Sequence, residues 1–66
     1  MASDFEYTGD ANQQSGFRDK VTGSHYWINN FDGSPVELLD GDQVVITSGG
    51  QRSVWSIRSQ RIVGYA

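Results

Sequence analysis

The chain has 66 residues, with eight acidic and five basic side chains and a formal net charge of −3 at pH 7. A chain this short forms at most one domain and buries only about 60% of its unfolded surface, so it needs an efficient core or self-association. It has one histidine and no cysteine, which excludes disulfides, thiolate metal sites and cysteine nucleophiles. We therefore expect neither a metal nor another cofactor.

The charges are unevenly distributed. Residues 1–50 hold all eight acids and two bases, whereas residues 51–66 hold three arginines and no acid. An acidic chain is poorly suited to non-specific nucleic-acid binding. The arginines are either scattered solvated side chains or a local basic stripe on an acidic body.

The chain contains no run of about 18 apolar residues, the length that would cross a membrane. The opening MASDFEYTGD lacks the basic and apolar regions of a signal peptide. The expected location is the cytoplasm, or a particle assembled there. A small structural or regulatory protein of a virus or mobile element would suit this length and pattern.

Strand signals in the first half are short. DFEYT predicts a strand with Phe5 and Tyr7 on one face, and SHYWIN predicts a second strand rich in aromatic residues. Between them, TGDANQQSG is polar, so residues 8–16 are predicted to form a flexible loop or arm. GFRDKV is either a short strand or an irregular segment.

The second half alternates strands with glycine turns. Asp32 and Gly33 give a hairpin-turn signal, as do Asp40 and Gly41. PVELL, beginning at Pro35, is the strand between these turns. The later strands are QVVITS, RSVWSI and RIVGY, with GGQ as the turn after the first and RSQ as a single helical turn that sends the last strand off at an angle.

Turn signals every eight to twelve residues, without sustained helical periodicity, predict one all-β domain over residues 1–66. We expect five or six short antiparallel strands in a small barrel or half-open sandwich. The strand, one-turn break and short closing strand over residues 36–66 resemble the end of SH3-like and Sm-like small barrels. That resemblance implies an SH3-like barrel.

The same half also resembles the trp RNA-binding attenuation protein family in the order of Leu39, Asp40 and Gly41, the run 44–47, and then Ser53, Ile57 and Arg58. The resemblance implies a ring of short β-chains. It also implies that Arg58 faces RNA and that the loop 48–53 approaches a small ligand.

Catalytic and metal motifs are not evident. Setting Gly33 at the glycine of a calcium-binding loop puts Ile28 and Leu39 at ligand positions, so the nearby aspartates are better explained as turn residues. His25 lies among serines and acids, the residue types of a Ser-His-Asp hydrolase triad. The sequence, however, has no Gly-x-Ser-x-Gly motif of the kind that carries a nucleophilic serine. We expect no catalytic residues.

Aromatic side chains are the most informative group. Tyr26 and Trp27 must point to opposite faces of a strand, so one of them lies outside a simple core, either in a subunit contact or as a stacking platform for a base, sugar ring or proline peptide. Trp55 shares a face with Ser53 and Ile57 and should anchor the core or an interface. The predicted binding residues are Tyr26, Trp27, Arg52, Trp55 and Arg58, the arginines serving as phosphate contacts.

The leading functional hypothesis is a non-enzymatic binding or assembly protein that acts through protein contacts as a homo-oligomer. The alternative is a ring-forming regulator that binds single-stranded RNA, and the third hypothesis is a small hydrolase. Self-association through exposed strand edges and aromatic surface is expected, because the chain has more large apolar side chains than one small core needs.

Overall fold

The computed structural model describes residues 2–66, and in that range it contains only β-strands and turns. The strands are β1 (Phe5–Ala11), β2 (Gln14–Asp19), β3 (His25–Asn29), β4 (Glu37–Leu38), β5 (Gln43–Ser48), β6 (Gln51–Ser56) and β7 (Arg61–Tyr65). They form two antiparallel sheets, one in the order β1-β2-β3 and one in the order β4-β5-β6-β7. The all-β prediction is confirmed, with seven strands instead of five or six, and the sheets do not close into a barrel.

One hydrophobic core lies between the two sheets. The first sheet contributes Phe5, Phe17 and Ile28, and the second contributes Val44 and Ile46, all of them buried. Ile57, directly after β6, completes the cluster. Because side chains alternate along a strand, each sheet presents these residues on its inner face. The outer faces mix polar side chains with apolar ones, such as the exposed Trp27 in β3 and the buried Val45 in β5. Full burial of one such side chain is worth about 1.5–3 kcal/mol.

Within residues 2–66, hydrogen bonds between backbone groups join the two sheets along one side only. The segment before β1 forms a parallel bridge between Ser3 and Gly41, and the Asp4 amide donates to the Gly41 carbonyl at 2.8 Å. On the opposite side, β3 and β7 are both edge strands, and no ladder pairs them within residues 2–66. There the side-chain amide of Gln60 donates to the Trp27 carbonyl at 3.1 Å. The molecule is therefore open between β3 and β7.

The prediction that residues 8–16 form a loop is wrong, because these residues belong to a β-hairpin. β1 runs to Ala11 and β2 begins at Gln14, so Asn12 and Gln13 form a two-residue turn with φ of 52° and 60°. A register shift between Tyr7 and Gly9 lets the polar strand bend. β2 then becomes the central strand of its sheet. Mobility of this segment stays a prediction, which amide exchange would measure.

The turn signals of the second half are correct in position but differ in role. Gly33 has a φ of 66°, and its amide donates to the Asn30 carbonyl at 3.1 Å, but this turn carries the chain from one sheet to the other and makes no hairpin. The strand expected over PVELL shortens to Glu37–Leu38, the residues that pair with β5. Gly49 and Gly50 both have positive φ, as the predicted turn requires.

The break before β7 is a single helical turn, as predicted: the Gln60 amide donates to the Ser56 carbonyl at 2.8 Å. The expected angled departure of the last strand is wrong, since β7 returns antiparallel to β6. Gln60 has a φ of 54°, and this left-handed residue reverses the chain. The ladder shifts register so that Tyr65 lies opposite Ser53 and Ile62 opposite Trp55. Ile62 and Tyr65 consequently share the inner face.

Candidate functional site

A cleft of about 220 Å³ lies at the open side, between the end of β3 and the inner face of the four-stranded sheet. Its apolar walls are Phe31, Ile46, Trp55 and Ile62, and its polar groups come from Asn29, Ser48 and Ser53. Cross-strand pairing sets Ile46 beside Ser53 and Trp55 beside Ile62. A mostly apolar concavity with a few polar groups is the usual form of a binding site.

The loop after β3 supplies one wall of the cleft. Phe31 follows β3 and is exposed to solvent. Its neighbour Asp32 accepts a hydrogen bond from the Gly49 amide at 2.6 Å through Oδ2. This contact ties the loop of the first sheet to the β5–β6 turn of the second, and so it holds Phe31 at the mouth of the cleft.

Trp55 has an unsatisfied donor. Its ring packs against the hydrophobic core, and its indole Nε1 is buried without a hydrogen-bond partner among residues 2–66. Leaving a buried donor unpaired costs about 1–3 kcal/mol.

Large apolar side chains continue from the cleft onto the surface. We call Phe31, Ile62, Val63 and Tyr65 the apolar rim; their exposed fractions are 61%, 41%, 48% and 66%. Three of them lie on β7, an edge strand. The hydroxyl of Tyr65 forms no hydrogen bond with another group in residues 2–66. Apolar groups concentrated at one place mark contact surfaces more often than scattered ones do.

Arg58 is exposed, as predicted, but it is engaged with carboxylates. Its Nη2 lies 3.1 Å from Asp19 Oδ2 and 3.7 Å from Asp4 Oδ2, and its guanidinium lies 5.0 Å from the centre of the Phe5 ring. Backbone hydrogen bonds from Thr22 and Val21, with a smaller contribution from Arg58, lower the pKa of Asp19. The same ion pair raises the pKa of Arg58. Arg58 therefore joins the two sheets.

The other predicted residues are spread over the molecule. Arg52 pairs with Glu37 at 2.7 Å across the four-stranded sheet. Tyr26 and Trp27 point to opposite faces, as alternation predicts: Tyr26 packs edge-on against Phe5 with ring centres 5.7 Å apart, whereas Trp27 is exposed beside His25. Of the five predicted binding residues, the structure places only Trp55 in the cleft.

The residues that sequence reasoning missed are Phe31 and Ile62. Ile62 lies in the predicted strand RIVGY, and Phe31 lies between the predicted strand SHYWIN and the turn at Asp32 and Gly33. Their shared position depends on a register shift in β7 and on a loop that spans two sheets. Neither feature has a signal in local sequence pattern.

His25 forms a hydroxyl contact of the kind that nucleophile activation requires, but without the third group. Its Nε2 lies 2.7 Å from Thr8 Oγ1, over Gly16, where an added Cβ would approach Thr8 Oγ1 to 2.5 Å. An activated nucleophile also needs a group that orients the base, and no hydrogen bond to Nδ1 of His25 occurs within residues 2–66. In the same range, no three side chains of the metal-ligating types gather around one point.

The chain was compared with models of protein families, with curated proteins and with solved structures, and none of them matches it. In the part of the chain that the structure describes, no helix is long and apolar enough to cross a membrane.

Proposed function

We propose that this chain is a non-enzymatic binding and assembly protein that forms a homo-oligomer through the cleft and the apolar rim. The observation that carries the proposal is the rim itself: its four large side chains are all more than 40% exposed, and two of them, Phe31 and Ile62, line a concave site at an open sheet edge. A second copy would bury apolar surface that one copy leaves in water.

The length of the chain supports the same proposal. A 66-residue chain without disulfides has little stability to spare, and association that favours the folded state adds to it by mass action. Edge strands also present free backbone N–H and C=O groups for pairing with another chain. β7 combines such an edge with apolar side chains.

Two finer parts of the proposal concern origin and location. The one-turn break before the closing strand supports a relationship to SH3-like and Sm-like small barrels that has lost closure between β3 and β7. We further propose a cytoplasmic protein, or a component of a particle assembled in the cytoplasm, of viral or mobile-element type. Length and compact β pattern support this part.

In the competing hypothesis of a single-stranded RNA regulator, the predicted phosphate contacts are two arginines that form ion pairs in the structure. Arg52 and Arg58 each contact a carboxylate, so RNA phosphates would have to displace these partners. RNA binding that neutralises phosphates weakens steeply as salt rises. Self-association through apolar surface does not weaken in this way. Measurements at several salt concentrations therefore distinguish the two hypotheses.

The test is sedimentation velocity of the purified chain over a range of concentrations, at about 50 mM and about 500 mM NaCl. We expect concentration-dependent association that persists at the higher salt. Val63→Lys should abolish association, because it places a charge in the rim. The matched control is Val21→Lys, which changes another exposed valine, in the turn between β2 and β3, and should leave association unchanged.

Circular dichroism should show that both variants fold. A monomeric wild-type chain at every concentration would overturn the proposal. Salt-sensitive retention of that monomer on single-stranded RNA would favour the alternative.

A further inference from the structure

We infer that the cleft is a binding site for one small uncharged ring compound that carries an oxygen at its edge, with the Ser53 hydroxyl as the hydrogen-bonding partner of that oxygen. This inference goes beyond the proposed function, because it concerns the cleft of a single copy and not the contact between copies. Val63 and Tyr65 of the apolar rim do not line the cleft, so a ligand there leaves them free to contact another copy.

The Ser53 hydroxyl is an unpartnered polar group in the cleft lining. Ser53 is only 9% exposed and lines the cleft, and β6 places it opposite Ile46 of β5 and Tyr65 of β7. Its hydroxyl forms no hydrogen bond with another group in residues 2–66. The buried side-chain polar atoms without a partner in that range are Asn30 Oδ1 and Trp55 Nε1, so the Ser53 oxygen is accessible. Because neighbouring strands flank Ser53 on both sides, that access is through the cleft.

An accessible hydroxyl in an otherwise apolar wall selects a ligand that can pair with it. A serine hydroxyl both donates and accepts hydrogen bonds. A purely apolar ligand would take water from the Ser53 hydroxyl and leave the group unpaired, which is unfavourable. A ligand oxygen at this point would replace the hydrogen bond to water. The ligand therefore combines a ring with at least one hydroxyl or carbonyl oxygen.

The charge of the lining argues for an uncharged ligand. The seven described residues that line the cleft are all uncharged. The charged residues next to them in sequence are engaged elsewhere, since Asp32 accepts from the Gly49 amide and Arg52 pairs with Glu37. An ion placed in the cleft would lose water without gaining a charged partner, and such a transfer is costly.

The size of the cleft suits one substituted ring. Its volume is about 220 Å³, whereas an apolar cavity of about 150 Å³ binds benzene and pockets for drug-sized ligands occupy about 300–1,000 Å³. Phe31 and Trp55 supply aromatic surface, and Ile46 and Ile62 supply branched aliphatic surface. The contact between Asp32 and Gly49 holds Phe31 at the mouth before any ligand arrives.

Titration with p-ethylphenol, followed by nuclear magnetic resonance of the backbone amides, tests the site. The protein is Val63→Lys, the variant expected to be monomeric, and dilute wild-type chain checks that the substitution is not the cause of binding. We expect shifts that saturate below about 10 mM ligand at Ile46, Ser53 and Ile62, with none in the turn around Val21. The charged analogue p-ethylbenzoate should not saturate at neutral pH.

Ser53→Ala tests the hydrogen bond. It should weaken binding of p-ethylphenol about threefold to tenfold and should not weaken binding of p-ethyltoluene, in which a methyl group replaces the hydroxyl. Comparing each ligand with itself removes the difference in hydrophobicity between the two. The urea midpoint of Ser53→Ala should equal that of the parent, because the hydroxyl has no protein partner to lose. Ser24→Ala, at an exposed position in the β2–β3 turn, is the control and should change neither affinity.

Phe31→Ala tests the wall of the cleft. Phe31 is largely exposed, so the variant should fold, and loss of the ring should weaken binding of p-ethylphenol and p-ethyltoluene alike. An unchanged affinity for both ligands would place the binding site elsewhere and overturn the inference.

The outcomes separate this inference from the proposed function. Shifts that never saturate, or that lie outside the cleft lining, overturn the inference. An equal effect of Ser53→Ala on the two ligands overturns the assigned hydrogen bond. A wild-type chain that stays monomeric but binds p-ethylphenol in the cleft overturns only the proposed function, whereas association without ligand binding overturns only the inference.

Discussion

Asn30 is a buried polar residue that joins the first sheet to the loop after it. Its Nδ2 donates to Ser15 Oγ at 3.0 Å and to the Ser34 carbonyl at 2.9 Å, and Ser15 Oγ in turn donates to Asp10 at 2.5 Å. Tyr7 also donates to the same Asp10 oxygen. The hydrogen bonds from Ser15 and Tyr7 lower the pKa of Asp10. This network orients the chain where it leaves β3 for the cleft wall.

Replacement of Asn30 should therefore be costly. Asn30→Ala leaves the Ser34 carbonyl without its donor, and we expect a loss of about 1–3 kcal/mol in the free energy of unfolding. The control is Gln43→Ala at an exposed strand position, which should change it by less than about 0.5 kcal/mol. Urea unfolding of both variants measures the difference. Equal midpoints would show that the buried network contributes nothing.

The Asp19 carboxyl makes the free energy of unfolding depend on pH in acidic solution. The pKa of its carboxyl is lowered from the ordinary value of 3.8, first by backbone hydrogen bonds from Thr22 and Val21 and then by Arg58. A carboxyl whose pKa is lower in the folded state stabilises the fold above its unfolded pKa and loses that contribution as pH falls through the folded pKa. The affected range is thus at and below about pH 4.

Asp19→Asn should flatten this part of the pH profile. The amide can still accept backbone hydrogen bonds but carries no charge toward Arg58. Urea midpoints measured from neutral pH down to about pH 3 should fall less steeply in the variant than in the wild type. Asp40→Asn, at an exposed turn position, makes the same change in net charge and is the control. If the urea midpoints of Asp19→Asn fell with pH as steeply as those of the wild type, Asp19 would not be the source of this pH dependence.

At the scale of elements, two hairpin turns have the same backbone and different residues. The β5–β6 turn uses Gly49 and Gly50, with φ of 57° and 78°, and the β1–β2 turn uses Asn12 and Gln13, with φ of 52° and 60°. Two central residues with positive φ favour a hairpin because their twist matches that of the strands. Glycine adopts this region without strain, whereas glutamine does not.

Exchanging residue types at the second turn position should have opposite effects. Gln13→Gly removes strain and should raise the free energy of unfolding by about 0.5–1 kcal/mol, whereas Gly50→Ala introduces strain and should lower it by about 1 kcal/mol. Nothing lies within 4 Å of a Cβ at Gly50, so the cost would be conformational and not steric. Thermal unfolding measures both. A destabilised Gln13→Gly would mean that the Gln13 side chain has a stabilising contact.

The same pair of turns shows what sequence could predict. Turns with glycine were located correctly, because glycine marks positive φ directly. The turn at Asn12 and Gln13 was missed because its residues carry no such signal, and its strands were too polar to suggest a sheet. β5 and β7 were located because their apolar runs are bounded by turns. The cleft was missed because it depends on which sheet edges remain unpaired, and pairing between distant strands has no local pattern.

At the scale of the whole molecule, stability depends on the side where the two sheets are joined. Backbone hydrogen bonds connect Asp4 to Gly41 and Gly41 to Ala2. Arg58 adds side-chain contacts there, since it lies after β6 and reaches Asp19 at the end of β2 and the ring of Phe5 in β1. The opposite side has the cleft instead. We expect a weaker joint to lower the free energy of unfolding. The open side has side-chain hydrogen bonds from Gln60 to the Trp27 carbonyl and from the Gly49 amide to Asp32, but within residues 2–66 no ladder pairs the two sheets there.

Arg58→Ala should therefore destabilise the fold more than Arg52→Ala does. Both arginines are about half exposed and each pairs with a carboxylate, but the Arg52 pair joins strands of one sheet, whereas Arg58 joins two sheets and covers a core aromatic ring. Exposed pairs contribute little, so the Arg52 variant should unfold close to the wild-type urea midpoint. The Arg58 variant should keep its β-sheet circular dichroism and unfold at a lower midpoint. The gap from wild type should narrow toward about pH 3, where protonation of Asp19 weakens the pair in the wild type too. Equal midpoints for the two variants at neutral pH would show that the joint is held by its backbone hydrogen bonds alone.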